Sequence, residues 1–142
     1  MILIWYHLSM KLLTRNTDYA TRALVYLFAK KKEIISVSEL VRELKAPRPF
    51  LRKILQQLNK RGILESFKGN QGGFKLNKDP GRIFLADLMR IFQGKIRLNE
   101  CIFKKKICPN KSSCVLRQKI CRIEDRVISE LGSITIASLS KS

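Results

Sequence analysis

Residues 36–76 read SVSELVRELKAPRPFLRKILQQLNKRGILESFKGNQGGFKL, and this stretch decides the fold. Ser36-Val37-Ser38-Glu39 has the spacing of a capping box, in which a serine oxygen takes the backbone N–H three residues on. It predicts a short helix over about residues 37–44, with Leu40, Val41 and Leu44 on its inner face. A turn through Lys45 and Ala46 leads to Pro47 and Pro49. The first turn of a helix accepts proline, because its N–H groups have no intrahelical partner. Phe50, Leu51, Ile54, Leu55 and Leu58 then form an apolar stripe, and the helix ends near Arg61 with Gly62 as its cap. Residues 63–67 and 74–76 follow as two short strands around the turn Gly69-Asn70-Gln71-Gly72-Gly73. Two short helices, a tight turn and a glycine-turned hairpin make a winged helix-turn-helix.

Upstream, Tyr19, Ala20, Ala23, Leu24, Leu27 and Phe28 recur at helical spacing and predict a first helix from Asn16 to Lys31, capped by Asn16 or Thr17. Downstream, Asp79-Pro80-Gly81 breaks the chain, and Leu85, Leu88, Met89 and Phe92 mark a fourth helix closed by Gly94. Leu116, Ile120, Ile123, Val127 and Leu131 fall at helical spacing as the seam of a long C-terminal helix ended by Gly132. That seam can pack on its own domain or on a second subunit. The expected class is mainly α with a small β-hairpin wing. The expected division is an N-terminal extension at 1–9, non-native or disordered, then the winged helix-turn-helix at 10–80 and a connecting helix at 81–100. A cysteine loop at 101–114 and a dimerisation helix with its tail at 115–142 complete it.

The second helix of the motif carries Arg48, Arg52, Lys53, Gln56, Gln57, Lys60 and Arg61 opposite its apolar stripe. In a major groove, Arg and Lys pair with guanine edges and Gln with adenine, and the N-terminal residues of the recognition helix lie nearest the bases. Arg48, Arg52 and Lys53 are therefore the leading base readers. In the wing, Gly69, Gly72 and Gly73 let backbone approach the phosphates and carry Lys68 toward the adjacent minor groove. Alone, a basic helix face reads as solvated surface. Its place in the motif, the hairpin that follows and the charge of the whole chain favour DNA.

The 142 residues contain 29 Lys and Arg against 11 Asp and Glu, a formal charge of +18, so the natural partner is a polyanion. At 45% hydrophobic residues the chain has enough apolar surface for a core and is not disordered. There is no run of about 20 apolar residues to span a bilayer and no lipidation signal, so no membrane partner is expected. The opening MILIWYHLS lacks a basic n-region and a small-residue cleavage site, and Met10 is an alternative start. A cytoplasmic protein with reduced thiols is expected.

Cys101, Cys108 and Cys114 crowd into one short segment, and no acidic residue lies between Cys101 and Cys121. Lys104, Lys105, Lys106, Lys111, Arg117 and Lys119 surround them with positive charge, which favours thiolate over thiol. A metal, a cluster or a redox sensor are the readings such thiols support. Zinc is one, although gaps of six and five residues are wider than zinc knuckles. A reversible disulfide is another. Cys121 is the fourth thiol by counting, but on a helix starting after Cys114 it sits about 10 Å along the axis, and it reads as a small residue partly buried beside the seam. A basic RNA-binding protein would share the charge without needing the cysteines. A redox enzyme would want a C-x-x-C pair, a nucleotide fingerprint or a usable histidine, and the single His7 lies in the extension, so no enzyme and no small-molecule substrate is expected.

Leu12, Thr14, the Thr17-Asp18-Tyr19-Ala20 run, the Gly69–Phe74 wing and the three-cysteine loop together resemble the IscR/NsrR (Rrf-type) transcription regulators over about residues 10–140. The resemblance implies a homodimer that binds palindromic promoter DNA and holds an iron–sulfur cluster, 2Fe–2S or 4Fe–4S, on Cys101, Cys108 and Cys114. Where IscR-like members carry a histidine ligand this chain has Arg117, whose guanidinium stays protonated and cannot bind iron. The nitric-oxide-sensing NsrR-like members are more similar, and for them the resemblance implies Asp18 of the partner subunit as a further ligand. Read by itself, Asp18 is an acidic residue in a first helical turn. Asn70 and Gln71 stand in the wing where relatives often have glycine or proline.

Overall fold

The computed structural model describes residues 11–31, 33–98 and 113–140. The expected extension at 1–9, and Cys101 and Cys108 with most of their loop, lie outside the described residues. The elements run α1 (Arg15–Ala29), α2 (Val37–Leu44), α3 (Arg48–Lys60), β1 (Leu64–Phe67), β2 (Gly73–Leu76), a 3-10 turn (Pro80–Arg82), α4 (Leu85–Gln93), α5 (Val115–Ser133) and α6 (Ile136–Leu139). The mainly helical architecture with one antiparallel hairpin is the one expected, and α2 has the predicted bounds.

Three local expectations need correction. The cap of α1 is Thr14, not Asn16 or Thr17: Thr14 Oγ1 accepts the Thr17 N–H, and Thr17 is fully buried. The helix stops at Ala29, and Lys31 turns to a positive φ of 47°. The last long helix runs through Gly132 to Ser133, because the chain continues helically until the Ile134 N–H bonds Leu131 O. A further short helix, α6, opens on a capping box between Thr135 and Ser138.

Leu24 and Leu27 of α1, Leu40 of α2, Leu51, Leu55 and Leu58 of α3, Leu88 of α4 and Ile136 of α6 are buried in one cluster. Each such side chain contributes about 1.5–3 kcal/mol on leaving water. On its other side α4 gives Leu85, Ala86 and Met89 to a second cluster with Ile96 and Leu131, against which Val127 and Ile128 also pack. Thus α4 joins the winged helix-turn-helix to α5. Backbone pairing reinforces the joint: Leu85 N–H donates to Ile134 O at 2.9 Å, and Ile136 N–H to Ile83 O at 3.0 Å.

The hairpin pairs Leu64 with Leu76 and Phe67 with Gly73. Its base is anchored to the segment before α2, where Ile35 and Phe74 exchange two backbone hydrogen bonds at 2.9 Å each.

Candidate DNA-reading face and cysteine centre

The turn between α2 and α3 places Lys45 at a φ of 50° and buries Ala46, which seats the two helices against each other. With Leu51, Ile54, Leu55 and Leu58 turned inward, Arg48, Arg52, Lys53, Gln56 and Lys60 are exposed together on the opposite face of α3. Arg48 donates from its guanidinium to the Ser38 hydroxyl in the first turn of α2, a partner ten residues away that no local motif signals. Gln57 departs from the expected row. It is half-buried, and its Nε2 donates to Ile91 O of α4 at 3.2 Å, so it ties helices together and does not sit on the exposed face.

Beside α3, Lys68, Gly69, Asn70 and Gln71 are exposed at the hairpin tip. A Cβ on Gly72 would lie 2.3 Å from Phe67 O, and one on Gly73 only 2.1 Å from Ile35 O, so the wing needs glycine at both places. Tyr26 fixes α2 from behind by donating to Glu39 Oε1 at 2.7 Å, and Lys30 lies over its ring. That hydrogen bond to a carboxylate is the first cause of a phenol pKa raised above 10.0, followed by burial and the Glu39 charge.

Cys114 is the cap of α5: its Sγ accepts the Arg117 N–H at 3.4 Å. This cap holds the sulfur of the half-buried Cys114 at the first turn of the 19-residue helix. Cysteine sulfur is a soft donor of the kind that suits iron or zinc. Cys121, expected to be partly buried, is exposed, because the seam does not cover its side of α5. Among the described residues no group of three His, Cys, Asp or Glu could hold a metal.

The other end of the cysteine segment is also held. Leu98 N–H donates to Glu124 Oε2 of α5 at 2.9 Å. Gln93, at the last turn of α4, accepts from Thr14 N–H at 3.1 Å and from the Thr17 hydroxyl at 2.8 Å, and donates to Leu12 O at 2.9 Å. This ties the start of α1, where Asp18 sits, to the chain leading to Cys101. Nothing in the local pattern around Gln93 signals that contact. Asp18 is engaged by Arg22 Nε at 3.0 Å to both carboxylate oxygens. Both side chains are largely exposed, so the pair is worth about 0–1 kcal/mol and is displaceable.

The expected seam divides. Leu131 is buried and Val127 half-buried against α4, Ile120 is half-buried, and Leu116 and Ile123 stand 68% and 49% exposed. Val115 beside them is 64% exposed.

A family model, Rrf2, described as an iron-dependent transcriptional regulator, matches residues 13–142. A relative from Aquifex aeolicus (strain VF5), described as an HTH-type transcriptional regulator, is 31% identical over 123 residues, covering 85% of this chain and 85% of its own. The structure of CymR, the global cysteine regulator of B. subtilis, superposes with a TM-score of 0.75 at 25% identity, over 92% of this chain and 97% of that one. IscR of T. potens, at 21% identity and a TM-score of 0.67 over 91% of this chain and 85% of its own, shares the fold. No described helix is long and apolar enough to cross a membrane. With a winged helix-turn-helix, a matching family model over nearly its whole length and a relative above 30% identity, the chain belongs to the Rrf2 family of transcriptional regulators.

Proposed function

We propose that the protein is a homodimeric transcriptional repressor whose affinity for palindromic promoter DNA is set by an iron–sulfur cluster, 2Fe–2S or 4Fe–4S, on Cys101, Cys108 and Cys114. The observation that carries this reading is the cap geometry of Cys114, whose Sγ accepts the Arg117 N–H at 3.4 Å and is fixed as a soft donor at the start of α5. Arg48, Arg52, Lys53, Gln56 and Lys60 read the groove, and Lys68 with Gly69, Gly72 and Gly73 follows the backbone. Leu116, Ile120 and Ile123 of α5 meet the same helix of the second subunit, while Val127 and Leu131 brace that helix on α4.

In this reading the partner subunit's Asp18 serves as the remaining ligand, as the resemblance to the nitric-oxide-sensing NsrR-like members implies. Reaching it costs only the weak surface pair with Arg22. When bound, the cluster supplies iron that reacts with nitric oxide and oxygen. The chain's own contribution is mechanical: Gln93 holds the start of α1 and the stem of the cysteine segment together, so a change in the loop is felt by the DNA-reading half. A coupling of about 1–3 kcal/mol would change promoter affinity by roughly 5–150-fold.

Anaerobic purification with the visible spectrum and the iron, sulfide and zinc contents, followed by DNA binding of holo and apo protein, tests the proposal. Iron and acid-labile sulfide with a cluster spectrum and unequal DNA affinities are expected. Equal affinities end the sensing mechanism, and a colourless, zinc-loaded protein ends the cluster. A second reading, a thiol–disulfide switch or structural zinc, is favoured by the exposure of Cys121 and the likeness to a cysteine regulator. It predicts colourless protein whose DNA binding responds to thiol oxidants or to zinc.

A further inference from the structure

A cleft of about 560 Å³ opens between the last turn of α1 and the chain leaving β2. Leu27, Phe28, Leu76 and Pro80 give it an apolar lining, and Lys31 and Lys78 stand exposed at its edge. Among the described residues neither ammonium has an ion-pair partner. The one carboxylate there, Asp79, is already occupied: its Oδ1 accepts the Gly81 N–H at 2.9 Å and its Oδ2 lies 4.0 Å from Arg82 Nε. An apolar cleft of this size with a few placed charges is the usual form of a small-ligand site.

From this we infer that the cleft binds a small amphipathic carboxylate, with the apolar body on Leu27, Phe28, Leu76 and Pro80 and the carboxylate between Lys31 and Lys78. The two lysines belong to the two chain segments that hold the wing. Lys31 precedes Ile35, and Lys78 follows Phe74, the pair whose backbone hydrogen bonds anchor the hairpin. An anion bridging them would clamp the wing base. Neither a cysteine nor Asp18 lines the cleft, and the inference does not depend on what the cysteines hold.

Titration calorimetry of the full chain with sodium octanoate, at about 0.15 M salt to screen the general positive charge, tests the inference. Acetate and 1-octanol serve as probes of the head alone and the tail alone. Saturable binding of one octanoate per chain is expected, at least about ten-fold tighter than either probe, since each lacks one of the two contacts. The double variant Lys31→Met, Lys78→Met, at two exposed positions, should lose at least about ten-fold of that affinity. The charge-matched control Lys95→Met, Lys119→Met should keep it. Absence of saturable heat, octanol binding as tightly as octanoate, or equal losses in the two double variants would each overturn the assignment.

Discussion

The hydroxyl of Thr17 and the side-chain amide of Gln93, 76 residues apart in sequence, meet with Oγ1 donating to Oε1 at 2.8 Å. Thr17 is fully buried, and the same Gln93 oxygen also accepts the Thr14 N–H. Replacing Gln93 by leucine leaves the buried Thr17 hydroxyl with Thr14 Oγ1 as its remaining side-chain partner and hands the exposed Thr14 N–H to water, a loss of about 1 kcal/mol. Gln93→Glu retains the acceptor for both threonines and loses only the donor to Leu12, so it should fall between leucine and the parent. Urea midpoints at unchanged slope would measure this. Equal losses for the two variants would show that the acceptor is not what matters.

Gly73 predicts a wing defect. A Cβ there would lie 2.1 Å from Ile35 O and 2.6 Å from its carbonyl carbon, both backbone atoms that cannot rotate away. Gly73→Ala must push the hairpin off its anchor, at about 1–3 kcal/mol of overpacking strain. The Gly69→Ala change meets no atom within 4 Å but needs a φ of 102°, so its cost is confined to the exposed tip. Amide hydrogen exchange at Ile35 and Phe74 should accelerate in the first variant and stay slow in the second.

The proposed DNA contacts of α3 and the wing predict different losses. If Arg52 of α3 meets a base edge, its change to alanine should cost about 1–3 kcal/mol and relax preference at one base pair. If Lys68 of the wing meets phosphate, its change to alanine should weaken all sequences alike and lower the salt slope of binding by about one. Operator variants titrated at several salt concentrations distinguish the two. A uniform loss for Arg52→Ala would remove it from the base readers.

Much of this fold was legible because its signals are local. The Ser36 capping box set α2 to its residue, since Ser36 Oγ does accept the Glu39 N–H at 3.1 Å. Even there half the expectation failed: the Glu39 carboxylate turns to Tyr26 on α1. The proline pair and Gly62 likewise bounded α3 by backbone chemistry alone. Hidden were the features decided by distant contacts. Thr14 caps α1 because Gln93 claims Thr17, Gln57 leaves the basic face because Ile91 offers a carbonyl, and Gly132 fails to end α5 because Leu131 is still packing on α4. For the cysteines, spacing singled out the candidates, and only Cys114, as a helix cap, has a physical setting among the described residues.

Tyr26 makes stability depend on pH at the alkaline end. Its phenol donates to Glu39, so the neutral form is favoured in the folded state and the pKa is raised above 10.0. The contribution is therefore fully present below pH 10 and is lost as pH rises through the folded pKa. Tyr26→Phe should remove that part of the decline while leaving stability near neutrality only slightly reduced. Denaturant midpoints measured from pH 8 to above 10 would check it, and an alkaline decline unchanged in the variant would sink it.

Cys114 and Cys121, seven residues apart on α5, should respond in opposite ways to the same substitution. Cys114→Ser keeps an oxygen cap on the Arg117 N–H, and serine is a better helix cap than a thiol, so thermal stability of the metal-free protein should hold or rise slightly. The same change removes a soft ligand, so iron and sulfide per chain should collapse. Cys121→Ser, at an exposed position away from the helix end, should leave iron content, visible spectrum and DNA affinity at parent levels. Asp18→Ala gives a third pattern: it removes only the weak pair with Arg22 from the isolated chain, so stability should change by less than about 1 kcal/mol while cluster retention falls. Iron analysis and thermal melts on the three variants separate a ligand from a cap and from a bystander. Loss of iron in Cys121→Ser with retention in Cys114→Ser would reverse the assignment.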